Sequence, residues 1–210
     1  MKTIRFKILT TALTVLAYSC CSEPRRYPLR EVDKLMIPYQ IGDIVRYVDD
    51  KGLPVTLVAT EILDKWVPGE DDELTGNLRD LTEHRTVVLR SENEEILCIG
   101  VSGRKRGAEG SVRVWGLGLH FNFWIIYDSK GGFIVDTQYN YEHFVRKFLT
   151  YDSVLINNLF YYDVAMHEER GFVRLDSDLI YYNKTHGVLQ LRENEKKLFT
   201  LDTVIFAGAR

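Results

Sequence analysis

Short runs of β-branched and aromatic residues recur along the chain, each bounded by Gly, Asp, Asn or Ser. Residues 43–48 (Asp-Ile-Val-Arg-Tyr-Val) and 55–60 (Val-Thr-Leu-Val-Ala-Thr) flank Asp49-Asp50-Lys51-Gly52, a hairpin signal in which the turn residues tolerate the backbone angles a reversal needs. Runs at 85–90, 95–101 and 111–115 follow, separated by the polar stretches 91–94 and 103–110. Residues 119–127 and 133–136 flank Asp128-Ser129-Lys130-Gly131-Gly132, whose glycines permit positive φ. Four more runs, at 159–166, 179–182, 188–192 and 198–201, close the chain. This spacing predicts a mainly β protein: one antiparallel domain, curled into a sandwich or partial barrel, with at most one or two short helices.

One segment carries two periods. Tyr141, Phe144, Val145, Phe148 and Leu149 fall on one helical face, yet their residue types equally suit a strand. The sequence leaves residues 140–149 open between helix and strand. The acidic stretch 69–73 reads as a solvated loop, and its carboxylates lack the alternating spacing of a calcium loop.

The N-terminus changes the picture of where the chain works. Lys2, Arg5 and Lys7 precede an 11-residue uncharged run from Ile8 to Tyr18, then Ser19, Cys20 and Cys21. A membrane-crossing helix wants about 20 predominantly apolar residues, so this pattern predicts a removed signal segment. Three divisions follow: 1–19 a signal peptide, 20–34 a lipidated cysteine and extended tether carrying Pro24, Pro28 and three arginines, and 35–210 a single β-rich domain. The whole chain has 27 basic and 30 acidic residues; without residues 1–19 the balance is 24 to 30, a net charge of −6. That surface argues against a nucleic-acid partner, which needs concentrated basic charge.

Ala17-Tyr18-Ser19 before Cys20 resembles the lipobox of bacterial lipoproteins, with Ala17 in place of the usual leucine. Two further segments, Pro38-Tyr39-Gln40-Ile41-Gly42-Asp43 and Tyr181-Tyr182 followed by Gly187, resemble segments of small lipoproteins of Bacteroidota, as does Tyr161-Tyr162-Asp163-Val164. The resemblance implies acylation at Cys20, a β fold and an envelope location, lipid-anchored and at the outer membrane. It carries no catalytic residue with it. At the matched positions Pro38 is expected to open a strand edge, and Gly42 and Gly187 to permit turns.

The search for chemistry returns fragments. His84, His120, His143, His167 and His186 form no H-E-x-x-H pair; His167-Glu168-Glu169 comes nearest to an acid-base or metal site and reads as a solvated strand end. Gly100-Val101-Ser102-Gly103-Arg104 approaches a nucleophile elbow, but Arg104 replaces its second flanking glycine. Gly116-Leu117-Gly118 lacks the third glycine of a dinucleotide loop and reads as a strand bend. Cys98, inside an apolar run, reads as a small buried side chain. Arg104-Lys105-Arg106, with Arg113, forms a basic loop.

Aromatic residues are the more suggestive feature. Trp115, Trp124 and Tyr127 lie in a stretch where alternation sends Phe121 and Phe123 to one face and Trp124 to the other. An aromatic platform beside polar groups suits a sugar or a peptide. The expectation is a non-enzymatic envelope protein without metal or cofactor. It would be held to a membrane by its lipid and would bind a glycan, a peptide or an envelope protein through Trp115, Trp124 and Tyr127. The alternatives are a carrier of a lipid or other apolar molecule in a β cavity, and a hydrolase with an unrecognised site.

Overall fold

A computed structural model describes residues 24–68, 80–104, 109–117, 123–134, 137–140, 144–171, 177–193 and 196–208. Thirteen strands among these residues share one sheet: β1 (Arg26–Tyr27), β2 (Ile44–Asp49), β3 (Pro54–Pro68), β4 (Leu81–Arg90), β5 (Ile96–Ser102), β6 (Gly110–Gly116), β7 (Phe123–Tyr127), β8 (Thr137–Asn140), β9 (Phe144–Ile156), β10 (Leu159–Gly171), β11 (Ser177–Asn183), β12 (Gly187–Glu193) and β13 (Lys196–Ile205). One helical turn, α1 (Glu31–Lys34), precedes β2.

Most strands pair with their neighbours in sequence, as the turn signals require. The exception that shapes the molecule is β13, which pairs with β2 and so joins the late meander to the early one. The order β7-β6-β5-β4-β3-β2-β13-β12-β11-β10-β9-β8 then curls into a nearly closed, antiparallel barrel-like sheet. Of the two architectures expected, the barrel is the one formed.

Alternation fills its interior. Phe123, Ile125 and Tyr127 of β7 face inward with Val112 and Val114 of β6 and with Leu97, Ile99 and Val101 of β5, all buried. Tyr47, Tyr182 and Phe123 are among the largest fully buried side chains.

Residues before β2 stop one end of the barrel. Leu29, Met36, Ile37 and Tyr39 are buried, and tyrosine hydroxyls donate to backbone carbonyls: Tyr39 of the plug to His186, Tyr182 of the wall to Met36, and Tyr47 to Val188 within the wall at 3.1 Å. Asp33 is wholly buried and accepts from the Tyr127 hydroxyl at 2.9 Å and from Arg30 at 2.6 Å. Burial pushes its carboxyl up, but the Arg30 side chain and backbone and the Tyr127 hydroxyl together hold it below its ordinary value. These contacts correct the expected boundary at 34/35: β1 pairs with β4, and Leu29 and Asp33 belong to the domain, not to a free tether. Pro38 likewise sits buried in this plug, not at a strand edge.

Two turns show local chemistry deciding the path. Gly187 has φ +74°, and a Cβ there would sit 2.2 Å from the Tyr39 hydroxyl, so the plug passes only because the side chain is absent. Asn157 and Asn158 carry φ of +49° and +63°, the pair of positive angles that a two-residue hairpin between β9 and β10 demands. The outward face of that hairpin leaves Leu155, Phe160 and Tyr162 exposed. Of the open segment 140–149, the described residues are strand: Asn140 ends β8, and Phe144 begins β9, which is paired on both sides, with β8 and with β10; residues 141–143 lie outside the described residues. Tyr141 and the acidic stretch 69–73 lie outside the described residues.

Candidate functional site: the cleft at the barrel seam

Among the described residues no ladder joins the two ends of the sheet, β7 and β8, and a side chain from β10, two strands in from the β8 end, reaches β7 instead. The Trp124 backbone N–H donates to His167 Nδ1 at 3.0 Å. His167 is wholly buried, stacked on its cross-strand neighbour Phe148 at 4.6 Å and 15°, with the Phe123 ring edge-on at 5.8 Å. An accepting Nδ1 is unprotonated, so the neutral ring carries its proton on Nε2. That atom is buried with no hydrogen-bond partner among the described residues. Burial first, then the Arg146 charge, pushes the ring's pKa down to about 3. The solvated strand end expected for His167 is therefore wrong, because β10 turns this residue to the inner face, where its ring secures the seam.

Beside this contact lies an open cleft of about 350 Å³. Ser111 of β6 and Trp124 and Ile126 of β7 line one side, and Arg146 and Phe148 of β9 line the other. Arg104, just after β5, completes it with Glu109 and Gly110. The Arg104 guanidinium donates to the Glu109 main-chain carbonyl and, at 2.7 Å, to Ser111 Oγ. Burial draws its pKa below the usual guanidinium range, and among the described residues no carboxylate lies within ion-pair distance of it. Arg146, by contrast, pairs with Glu169 at 2.6 Å.

A row of stacked side chains continues from the cleft across the outer face. Arg113 sits over Trp124 at 5.1 Å and over Trp115 at 5.7 Å. Such cation–π contacts contribute about 0.5–1 kcal/mol where solvent reaches them. Trp115 finds its place because Gly100 on the adjacent strand leaves room; a Cβ there would lie 3.1 Å from the indole. Both tryptophans are partly exposed.

The other sequence candidates separate. Tyr127 is buried and its hydroxyl holds Asp33, so it is a strut of the plug and not a binding surface. Its ring fits only because it crosses Gly110, where a Cβ would come within 2.0 Å. Trp66, which is no candidate from the sequence, is 45% exposed on the long β3–β4 hairpin with Arg26 above its ring. Ser102 meets His84 Nδ1 at 3.1 Å, and Thr82 meets the other ring nitrogen at 3.0 Å, a pairing across β4 and β5 that spacing does not reveal. Ser102 belongs to regular strand and not to an elbow. Cys98 is a free thiol, half-buried, and burial pushes its pKa up. Gly116 and Leu117 both take positive φ where β6 ends, the bend expected of them. Cys20, Cys21, Lys105, Arg106, Gly118 and Phe121 lie outside the described residues.

Fold and cleft together define an antiparallel, nearly closed barrel-like domain with an open site at its seam. No family profile, no curated protein and no solved structure matches the chain.

Proposed function

We propose that this chain is a lipid-anchored protein of the cell envelope that binds a glycan, a peptide or an envelope partner without transforming it. The binding site is the seam cleft together with the Trp115–Arg113–Trp124 row. The observation that carries this reading is the position of Trp124. Its backbone secures the seam, its indole lines the cleft, and it shares Arg113 with Trp115, so one residue ties the fold to an accessible aromatic surface. Anchoring at Cys20 is supported by the charged, apolar and small-residue succession of residues 1–19.

Two experiments test the two halves. Glycan-array and envelope-extract capture with the full chain is expected to yield a ligand that Trp124→Ala and Trp115→Ala release while the circular dichroism stays β-type. Retention by both folded variants removes the platform from the account, and turnover of a captured ester, peptide or glycoside removes its non-catalytic character. Labelling with a fatty acid is expected to mark the wild type and leave Cys20→Ala unlabelled and soluble; equal labelling of the variant contradicts anchoring at that residue.

A further inference from the structure

We infer that the seam cleft takes an anion, specifically a carboxylate carried on a sugar or aryl ring. The inference rests on the reading of this cleft as the binding site, and it adds the chemistry of the ligand.

The charge arithmetic of the cleft is unbalanced. Arg104 and Arg146 line it and Arg113 stands beside it over Trp124, whereas Glu169 pairs with Arg146, and the lining carboxylate, Glu109, hydrogen-bonds Arg104 through its main-chain carbonyl and not through its carboxylate. Arg104 is the telling member. A guanidinium has five N–H donors in a planar fork, and among the described residues its protein acceptors are two, Glu109 O and Ser111 Oγ. Asp33 and Glu109 act on this half-buried cation only from a distance, with no ion pair to it among those residues; the remaining desolvation cost is one that a bound carboxylate would offset, and paired N–H donors match the two oxygens of that group. Ser111 holds the guanidinium in place, so its direction is set before a ligand arrives.

The rest of the wall is apolar and partly aromatic: Trp124, Ile126 and Phe148. An inorganic anion would leave those surfaces unused, while a ring attached to the carboxylate would cover them. Ligand pockets run from about 300 to 1,000 Å³, and at about 350 Å³ this one suits a single substituted ring better than a long acyl chain. A sugar acid and an aryl acid both meet that description.

Calorimetric titration of the purified full chain separates the sources. The probes are glucuronate- and galacturonate-containing disaccharides, benzoate, the corresponding neutral disaccharides, benzyl alcohol, and inorganic phosphate alone. At least one ring acid is expected to bind about tenfold more tightly than its neutral counterpart, a difference of about 1.4 kcal/mol, and the stronger series identifies sugar or aryl acid. Arg104→Gln is expected to abolish that preference, Arg104→Lys to retain part of it, and Ser111→Ala to weaken acid binding a few-fold; the last keeps the test open if Arg104→Gln fails to fold. Equal affinity for acid and neutral probes, or an unaltered preference in folded Arg104→Gln, overturns the inference, and phosphate binding as tightly as the ring acids overturns the ring requirement. If no probe binds while Trp124→Ala still releases a captured envelope ligand, the anion inference fails and the cleft remains the site. If Trp124→Ala releases nothing, the underlying reading falls as well.

Discussion

Around most of the barrel each strand is held by main-chain ladders on both edges, but at the seam, among the described residues, β7 is tied to β10 by a single imidazole. The paired wall is redundant: losing one contact leaves many, and its inner residues are packed to near-zero exposure. The seam depends on the protonation state and placement of one side chain. Regions with few main-chain bonds open at lower free energy than the global fold, and binding sites are drawn from them. The cleft lies beside the less secured region, where among the described residues the two sheet ends are joined by no ladder.

The largest contrast is expected from two glycines on the secured side, both with positive φ. Gly187→Ala forces a side chain into the left-handed region and against the Tyr39 hydroxyl, whereas at Gly52, with φ +80°, an added Cβ would meet nothing within 4 Å. Backbone strain and overpacking together give about 2–5 kcal/mol for Gly187→Ala, against about 1 kcal/mol for Gly52→Ala. Urea unfolding of both variants measures the gap. Equal losses would show that the plug yields at no cost.

At the seam the sharper probe is pH. His167 titrates far below its ordinary value in the folded protein, so the unfolded chain takes up its proton first. Its contribution is constant at neutral pH and is lost as pH falls from about 6.5 towards 3, on the order of 3 kcal/mol by pH 4. His167→Gln keeps an acceptor for the Trp124 N–H without the titration. The stability advantage of wild type over this variant is therefore expected to shrink across that window. A gap independent of pH would contradict the buried neutral ring.

Sequence and structure agree where a rule is local. Asp49 to Gly52 and Asp128 to Gly132 are legible as turns because their residues bond their own backbone: Asp49 Oδ1 accepts from Lys51 and Leu53, and Asp128 Oδ1 from Lys130 and Gly132. His167 misleads because Glu168 and Glu169 make its neighbourhood look polar, and only the approach of β7, more than forty residues earlier, buries it. Tyr127 looks like its neighbour Trp124 until alternation places it inward across Gly110. Arg104 reads as part of a solvated basic loop, since nothing in the sequence says that β9 will form the opposite wall of a cleft. Residues 144–149 carry both periods, and pairing on two sides decides between them. What the sequence withholds is the closure of the barrel, which is a long-range event.

Two smaller effects sharpen the comparison. Tyr127→Phe removes one donor from buried Asp33 and is expected to cost about 1–2 kcal/mol in thermal or chemical unfolding, less than the plug glycine because Arg30 still holds the carboxylate. Phe160→Ser, on the exposed face of the β9–β10 hairpin, is expected to shift stability by no more than about 0.5 kcal/mol. A larger loss there would mean that the hairpin packs more tightly than its exposure indicates.

Hydrogen–deuterium exchange of the full chain, alone and with a saturating ring acid from the titration, tests the central claim most directly. Backbone amides of β7 are expected to exchange faster than those of β4 and β5 in the free protein, and to slow when the acid is present while β4 and β5 stay unchanged. Exchange at β7 as slow as at β5, with protection by the ligand appearing elsewhere or nowhere, would contradict the seam as both the loosest wall of the barrel and its binding site.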